Sequence, residues 1–211
     1  MRSVSRPAVA ACLCMAALTA GCASAPSAGK GLHQTPPALG RYPYSDADVD
    51  FMSGMIPHHA QAVIMAGWAP SHGARKDVAI LCERIVVGQR DEIALMQTWL
   101  SDRGLLVPDA ASTRHKMKMN GMEHEMLMPG MLTDEEMAAL DRARGPEFDR
   151  LFLLGMIKHH QGAVGMVDVL LKSYGAAQDE TIFKFANDVQ ADQSIEIDRM
   201  EKMLEDGGRL E

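Results

Sequence analysis

The sequence predicts an all-α protein: a four-helix bundle made of two repeated helical hairpins with a methionine-rich connecting segment. The chain of 211 residues has only 5% aromatic residues but 17 methionines, a composition that favours helices over strands. Apolar residues recur at helical spacing, and Gly-Met-Ile-x-His-His occurs at 54–59 and again at 155–160. Two copies of an amphipathic hairpin bury their apolar stripes most simply by packing together as a bundle.

Residues 1–21 are predicted to be a lipoprotein signal peptide. Arg2 and Arg6 precede an apolar stretch of 13 residues, at 8–20, which is too short for the ~20 residues that span a bilayer as a helix. The next residues, LTAGC, resemble a bacterial lipobox, which makes Cys22 the predicted lipidation site. Ordinary cleavage after Ala25 is the alternative. Residues 22–44 are rich in Ala, Ser, Gly and Pro and are predicted to be a flexible tether. Either way, the mature protein is expected outside the cytoplasm, on the periplasmic or cell-surface side of a membrane.

Charge and cysteine content narrow the class of partner. Loss of Arg2 and Arg6 with the signal peptide leaves 19 basic against 28 acidic residues, a net charge of −9. This argues against nucleic acid as a partner and suits a protein that attracts cations. Cys82 is the one cysteine of the predicted folded domain, so no disulfide is expected within it. We expect its side chain to be a small buried apolar group.

The folded domain is predicted at 45–206, and its first repeat at 45–104. Ser45 and Asp48 form the pattern of a capping box at the start of a helix. Pro57 falls inside this helix and is predicted to kink it just before the histidines. A second amphipathic helix is predicted from 74 to 102, and it ends before Gly104.

The second repeat, at 146–206, follows the same plan. Pro146 stands near a first helical position, and the two helices of this repeat end at Gly175 and Gly207. The first helices of the two copies align at an offset of 101, and the second helices at an offset of 104. The aligned pairs include Met55 with Met156, His58 with His159, His59 with His160, and Glu92 with Glu196.

The connecting segment, 105–145, holds the most unusual composition. Six methionines and two histidines occur between 115 and 131. Gly121, Pro129 and Gly130 interrupt them, and we predict an irregular loop that is neither helix nor strand. Thr133 and Glu136 then form a second capping-box pattern, which predicts a short helix.

The paired histidines are predicted metal ligands. Met55 stands three and four residues before the first histidine pair, so thioether and imidazole share one helix face, and Met156 repeats the arrangement. Neutral imidazole and thioether donors suit Cu(I), Ag(I) and, through histidine, Cu(II) and Zn(II). The predicted helical ligands are His58, His59, His159, His160, Met55 and Met156. Glu92 and Glu196 are predicted to orient an imidazole from outside the ligand set. The alternatives are satisfied buried histidines, core methionines and a polar seam.

The connecting segment is predicted to capture soft metal as well. Exposed methionine is prone to oxidation and a loop does not need thioethers for packing, whereas thioether ligation requires no deprotonation. The predicted ligands here are His115, Met117, Met119, Met122, His124, Met126, Met128 and Met131. The alternative is an apolar covering loop.

Catalytic motifs are absent from the sequence. No Glu-x-x-His of a di-iron bundle, no His-Glu-x-x-His and no glycine-rich phosphate loop occurs. The sequence therefore predicts a protein that is not an enzyme.

The doubled motif also resembles a known family. Phe-x-x-Gly-Met-Ile-x-His-His occurs twice, each time followed by a helix with Gln-x-x-Glu-Ile-x-x-Met, and Met-Pro-Gly-Met-Leu lies between the copies. These motifs resemble the DUF305 family of domains of unknown function, which includes CopM-type periplasmic copper-binding proteins. The resemblance covers about 45–204. It implies a ferritin-like bundle, an extracytoplasmic location and copper or silver binding in metal tolerance. The ligands it implies are His58, His59, His159, His160 and methionines of the connecting segment.

The function expected from these observations is a membrane-tethered, extracytoplasmic buffer or chaperone for copper, with Cu(I) favoured and Ag(I) or Cu(II) as further ions. The main alternative is a non-catalytic interaction module of the cell envelope, in which the methionine-rich loop contacts another protein. A third reading is a redox enzyme that uses bound copper.

Overall fold

The structure is a computed structural model, and it describes residues 43–119 and 122–207, without the side chains of 118 and 119. The predicted signal peptide, Cys22 and nearly all of the predicted tether lie outside these residues, as does the side chain of Met119. Within the described ranges, no helix combines the length and the apolar character that crossing a membrane requires.

Four long helices form the molecule, which confirms the predicted all-α bundle. They are α1 (Asp46–Gly67), α3 (Lys76–Ser101), α5 (Pro146–Lys172) and α6 (Glu180–Gly207), and two short helices, α2 (Ala69–His72) and α4 (Asp134–Arg142), lie in the connections. Helix α1 packs along α3, α5 packs along α6, and α1 also contacts α5. The repeated helices α1 and α5 therefore meet inside the bundle, and this contact positions the histidines.

The helix starts follow the local signals in the sequence. The Ser45 side chain accepts a hydrogen bond from the backbone of Asp48, whose carboxylate in turn accepts from the Ser45 backbone. Thr133 and Glu136 form the same reciprocal pair before α4. Helix α1 continues past Pro57 to its end at Gly67. Because proline has no N–H, the carbonyl of Ser53, four residues earlier, has no partner within the helix.

The core consists of two apolar clusters, and each draws side chains from both repeats. One cluster includes Phe51 of α1 against Phe185 of α6, with ring centroids 5.9 Å apart. The other includes Phe148 and Phe152 of α5, packed with Leu81 of α3. Neither repeat could bury these side chains alone, so the two hairpins fold as one unit.

Two buried carboxylates tie the repeats together reciprocally. Asp48 of the first repeat accepts a hydrogen bond of 2.7 Å from the backbone N–H of Ala177, just before α6. Asp149, at the same offset of 101, accepts one of 3.2 Å from the backbone N–H of Arg75, just before α3. Each first helix therefore holds the interhelical loop of the other copy. A hydrogen bond to a buried carboxylate contributes about 1.5–3 kcal/mol.

The prediction that the connecting segment is irregular is wrong. It contains an antiparallel β-hairpin of β1 (His115–Met119) and β2 (Met122–Met126). The reason is the strict alternation of methionine or histidine with lysine or glutamate, a period of two that is typical of strands. Between the strands stands Asn120-Gly121, the sequence pair most typical of two-residue hairpin turns.

The motif Met-Pro-Gly-Met-Leu, at 128–132, forms a clasp across α1 and α5. The side-chain amide of Gln61 exchanges two hydrogen bonds, of 2.9 and 2.7 Å, with the backbone of Leu132. Gly130 has a φ of +81°, and a Cβ at this position would lie 2.6 Å from the Lys158 carbonyl oxygen. A Cβ at Gly162 of α5 would lie 2.0 Å from the Pro129 carbonyl oxygen. The clasp thus approaches α5 backbone to backbone, at a distance that only glycine permits.

We expect Gly162→Ala to destabilise the protein by about 1–3 kcal/mol, because the added methyl group displaces the clasp. Urea unfolding monitored by circular dichroism measures the change. Gly165→Ala, in the same helix, is the matched control, since a Cβ there has no neighbour within 4 Å. Its helix propensity should raise stability by about 0.5–1 kcal/mol. Equal effects of the two substitutions would contradict the close approach.

Candidate metal centre

Four imidazoles, the histidine cluster, meet where α1 packs against α5. His58 and His159 lie at its centre with ring centroids 3.8 Å apart. His59 and His160 flank them, and each ring centroid is 6.1 Å from that of its preceding histidine. All four side chains are completely buried. The structure thus brings together the two histidine pairs that lie a hundred residues apart in the chain.

The two outer histidines are each held by a glutamate of the partner helix in the same repeat. Nε2 of His59 is 2.7 Å from Oε2 of Glu92, and Nε2 of His160 is 2.8 Å from Oε2 of Glu196. The glutamate side chains are 25% and 20% exposed. They therefore keep one edge in water while they accept hydrogen bonds from the buried rings.

The two inner histidines are held by backbone carbonyl groups. Nε2 of His58 is 3.0 Å from the carbonyl oxygen of Pro129 in the clasp. Nε2 of His159 is 2.9 Å from the carbonyl oxygen of His58 itself. The clasp therefore fixes one ring of the cluster directly, and α1 fixes its counterpart from α5.

These partners determine the tautomer of every ring. Carbonyl and carboxylate oxygens accept hydrogen bonds, so each Nε2 atom carries a proton, and Nδ1 keeps a lone pair wherever the ring is neutral. All four Nδ1 atoms are buried and have no hydrogen-bond partner. This is the pattern of metal-binding histidine, in which one ring nitrogen donates to an oxygen and the other faces the metal.

His72 provides a contrast within the same protein. Its side chain is also buried, but Nδ1 lies 2.9 Å from the Ser71 hydroxyl and Nε2 lies 2.9 Å from the Asp141 carbonyl oxygen. A structural histidine in this fold thus has both ring nitrogens satisfied. An unpartnered Nδ1 atom is therefore not a general feature of buried histidine in this protein: all four rings of the histidine cluster have one, and so does His115, but His72 does not.

Two buried glutamines occupy matching positions of the two repeats. They were not predicted as site residues from the sequence. The buried amides of Gln89 and Gln193 stand three residues before Glu92 and Glu196, on the same helices. Oε1 of Gln89 and both amide atoms of Gln193 have no partner. An unsatisfied buried polar group costs about 1–3 kcal/mol. Their alignment in the two repeats was the available signal.

Burial and neighbouring rings disfavour positive charge at the centre. Burial is the largest cause that holds the pKa of His58 and of His159 well below the usual value of 6.5. The other imidazoles of the cluster lower both pKa values further, because a second cation nearby would repel the first. At neutral pH the two inner rings are therefore neutral, the form that binds a metal ion.

The predicted thioether ligands of the helices occupy different places. Met55 and Met156 are both fully buried, but Met55 belongs to the core cluster of Phe51 and Met156 to that of Phe148. Across 43–119 and 122–207, no three or more His, Cys, Asp or Glu side chains are arranged to hold a metal ion.

The structure does not bring the predicted ligands of the connecting segment into the histidine cluster. His115 is buried against α1, Met117 is half-buried, and His124 is exposed on β2. Met122 and Met126 are 63% and 45% exposed. In the clasp, Met128 packs against the first core cluster, and the sulfur of the buried Met131 accepts the Met128 N–H at 3.2 Å.

Cys82 is free and buried in the second core cluster. Burial is the main cause that raises the pKa of its thiol to about 12, and Asp149 adds to the effect. The side chain is therefore a neutral thiol at physiological pH, in agreement with the small apolar group expected from the sequence.

The chain is similar to one described protein family and to several solved structures. The model of a family described as domain of unknown function (DUF305) matches residues 48–204. A DUF305 protein of Streptomyces coelicolor, described as a candidate secreted protein, is 28% identical; the match covers 77% of this chain and 94% of that one, with a TM-score of 0.65. A DUF305 fragment from Deinococcus radiodurans is 26% identical over 80% and 99% of the two chains, with a TM-score of 0.63.

The solved structures also include CopM in its Cu(I)-bound form. It is 28% identical, the match covers 75% of this chain and 96% of CopM, and the TM-score is 0.57. Among curated proteins, an uncharacterized protein of Acanthamoeba polyphaga mimivirus is 33% identical over 58 residues. That match covers 28% of this chain and spans 38% of the length of the viral protein.

The metal-free protein should lose stability as the pH falls below about 6.5. His58 and His159 take up protons near that pH when unfolded, but only at much lower pH when folded. The free energy of unfolding should therefore fall by about 1.4 kcal/mol per pH unit for each of these histidines. Urea unfolding between pH 7 and 5 in the presence of a chelator measures the slope, and His58→Gln should make it shallower. A stability that stays flat over this range would contradict the burial of neutral rings.

Proposed function

Because the chain belongs to the DUF305 family, and because its four buried imidazoles each keep an unpartnered Nδ1 atom, we propose that it binds a monovalent soft metal ion. Cu(I) is the favoured ion and Ag(I) its close analogue. The ligands are drawn from His58, His59, His159 and His160. The protein acts outside the cytoplasm as a metal buffer or chaperone, without catalytic activity of its own.

The chemistry of the donors supports a soft monovalent ion over a hard divalent one. The donors without a partner in the cluster are imidazole nitrogens, and one carboxylate oxygen of each glutamate accepts an imidazole N–H. A Mg²⁺ or Ca²⁺ site would need several oxygen ligands. Bringing a single charge into a fully buried site also costs less desolvation than bringing a double charge. Imidazole and a linearly coordinated d¹⁰ ion match these conditions.

The hydrogen bonds to Nε2 have a defined role in this proposal. A carboxylate that accepts the Nε2–H raises the basicity of the opposite nitrogen and fixes the ring orientation. Glu92 does this for His59, and Glu196 does it for His160. The Pro129 carbonyl does the same for His58 without adding charge. The proposed ligands are thus oriented before any ion arrives.

Relatives support the choice of metal and the location. CopM structures are described in Cu(I)-bound, Cu(II)-bound and Ag-bound forms, and the similar Streptomyces coelicolor protein is described as a candidate secreted protein. Both agree with the extracytoplasmic location expected from the N-terminal sequence. Lipidation at Cys22 and anchoring to a membrane are proposed from the sequence alone.

The double substitution His58→Gln with His159→Gln should weaken Cu(I) or Ag(I) binding by about a hundredfold or more, because it removes the central pair of donors. Titration of the purified protein against a competing Cu(I) chelator measures the affinity. His72→Gln is the matched control, since it removes an equally buried imidazole that already has two partners, and it should leave the affinity unchanged. If wild type and the double variant, both verified as folded, bind equally poorly, the proposal fails.

Glu92→Gln and Glu196→Gln should each weaken metal binding by about 10–100-fold while the protein stays folded. Each change keeps an oxygen that can accept the imidazole N–H but removes the charge that makes the ring more basic. Glu147→Gln is the control, because Glu147 pairs with Arg150 on the exposed side of α5. An unchanged affinity for both cluster variants would show that the carboxylates serve only to satisfy the buried rings.

A further inference from the structure

The β-hairpin presents its soft donors on a single face. Residues directly opposite each other in an antiparallel pair project to the same side of the sheet. In the observed register, His115 is opposite Met126, Met117 is opposite His124, and the register continues to the last pair next to the turn. Alternation along each strand places the described methionine and histidine side chains of the two strands on one face. We call this side the donor face.

The opposite face is ionic. Among the described side chains it carries Lys116 from β1 and two glutamates from β2, and the Lys116 ammonium lies 3.2 Å from the Glu125 carboxylate. Both partners are more than half exposed. This pair neutralises itself and offers no soft donor. The chemistry of the hairpin is therefore confined to the donor face.

Packing accounts for only part of the donor face. On β1, His115 is buried and Met117 is half-buried, so this part of the face is directed towards α1. Along β2, the side chains of Met122, His124 and Met126 are all exposed. Exposed thioethers contribute little to stability and risk oxidation. Their exposure is instead what a site for an incoming soft ion requires.

The donor face ends at His115, which lies near a pocket in the bundle. His115 is only 7% exposed, and its buried Nδ1 atom has no partner. Burial lowers the pKa of this imidazole, although Asp50 and a hydrogen bond with the Ser53 backbone partly offset the effect. Asp50 also lines a neighbouring pocket of about 320 Å³ between α1, α5 and the clasp. The hairpin and this pocket are thus linked through one acidic side chain.

The pocket is lined by two thioethers and lies next to the histidine cluster. Met128 of the clasp and Met166 of α5 both line it, and their methyl groups approach the same point above Gly54. Pro129 also lines the pocket, and its carbonyl oxygen is the partner of His58 Nε2. Pro129 therefore contacts both the pocket and the proposed ligand His58. Gly54 leaves the space that both thioethers occupy.

We propose that the donor face is a second, solvent-accessible site for Cu(I) or Ag(I), and that the Met128–Met166 pocket conducts the ion from it to the histidine cluster. The inference deepens the proposed function and depends on it. No bond is made or broken apart from coordination bonds, and the ion keeps its oxidation state. Successive thioether and imidazole donors hold the ion without protons having to leave. The outer site exchanges its ion quickly, and the buried cluster retains it.

The duplication supplies an internal control for the route. The counterpart of Gly54 is Gly155, and the side chains nearest to it are Leu132 and Met65. A leucine thus stands on the second side where Met128 stands on the first, so only the first side offers two thioethers. The route is expected on that side alone.

The donor face is tested with a variant that combines Met117→Leu, Met122→Leu, Met126→Leu and His124→Gln. Leucine replaces methionine with little change in volume. Ag(I) titration with a competing chelator should show that the variant loses the fast-exchanging ions and keeps the slowly exchanging one. The control combines Lys116→Gln with Glu125→Gln on the ionic face and should retain both classes. Unchanged Ag(I) stoichiometry and exchange in the donor-face variant would overturn the inference, while retained binding at the histidine cluster would leave the proposed function intact.

The route is tested with Met128→Leu combined with Met166→Leu, followed by stopped-flow loading of Ag(I). The affinity at the histidine cluster should stay the same, whereas the rate of loading should fall by about tenfold. Met65→Leu on the second side is the matched control and should load at the wild-type rate. Equal rates for all three proteins would overturn the route. Absence of any Ag(I) binding to the wild type would instead reject the proposed function itself.

Discussion

Four imidazoles without access to water impose the main constraint on this molecule, because each ring N–H must find an oxygen inside the protein. The bundle meets this requirement with one glutamate from each partner helix, one carbonyl group of α1 and one carbonyl group of the clasp. The position of the clasp follows, since Pro129 reaches His58 only where two glycines, Gly130 and Gly162, let two backbones approach. The neutral state of the two central rings follows as well, because burial disfavours their positively charged form and so lowers their pKa. The requirements of the histidines thus explain features of four helices and of one connecting segment.

The duplicated architecture makes the histidine cluster nearly symmetric. Histidines, glutamates and buried glutamines recur at matching positions of the two repeats. The connecting segment occurs once, and it breaks this symmetry. It contributes a carbonyl group to one inner ring, a thioether beside Gly54, and a leucine beside Gly155. The connecting segment therefore makes the two sides of the histidine cluster different, whereas the repeats alone would make them alike.

Features encoded in local patterns could be predicted from the sequence, and features made by distant backbone could not. The helices, both capping boxes, and the coupling of His59 to Glu92 follow from spacing and repetition that are visible in one chain. The β-hairpin was not predicted, although its alternation and its Asn-Gly pair are explicit signals, because the glycine and proline residues of the same segment also favour an irregular loop. The hydrogen bond between His58 and the Pro129 carbonyl oxygen could not be predicted, since every residue has a carbonyl oxygen and the sequence does not indicate which one is used. The sequence predicts Met55 and Met156 as metal ligands beside the histidines, but only the packing of the two hairpins decides which core cluster receives each thioether.

The reciprocal ties from Asp48 to the loop before α6 and from Asp149 to the loop before α3 have a consequence for how the two halves of the chain associate. Each tie runs from one copy to the other, and the operation that exchanges the repeats also exchanges the ties. Contacts of this kind are those of an isologous two-fold interface between identical subunits. The two hairpins thus meet as the subunits of a homodimer do, but within one polypeptide. A covalent link between the halves makes their association independent of protein concentration.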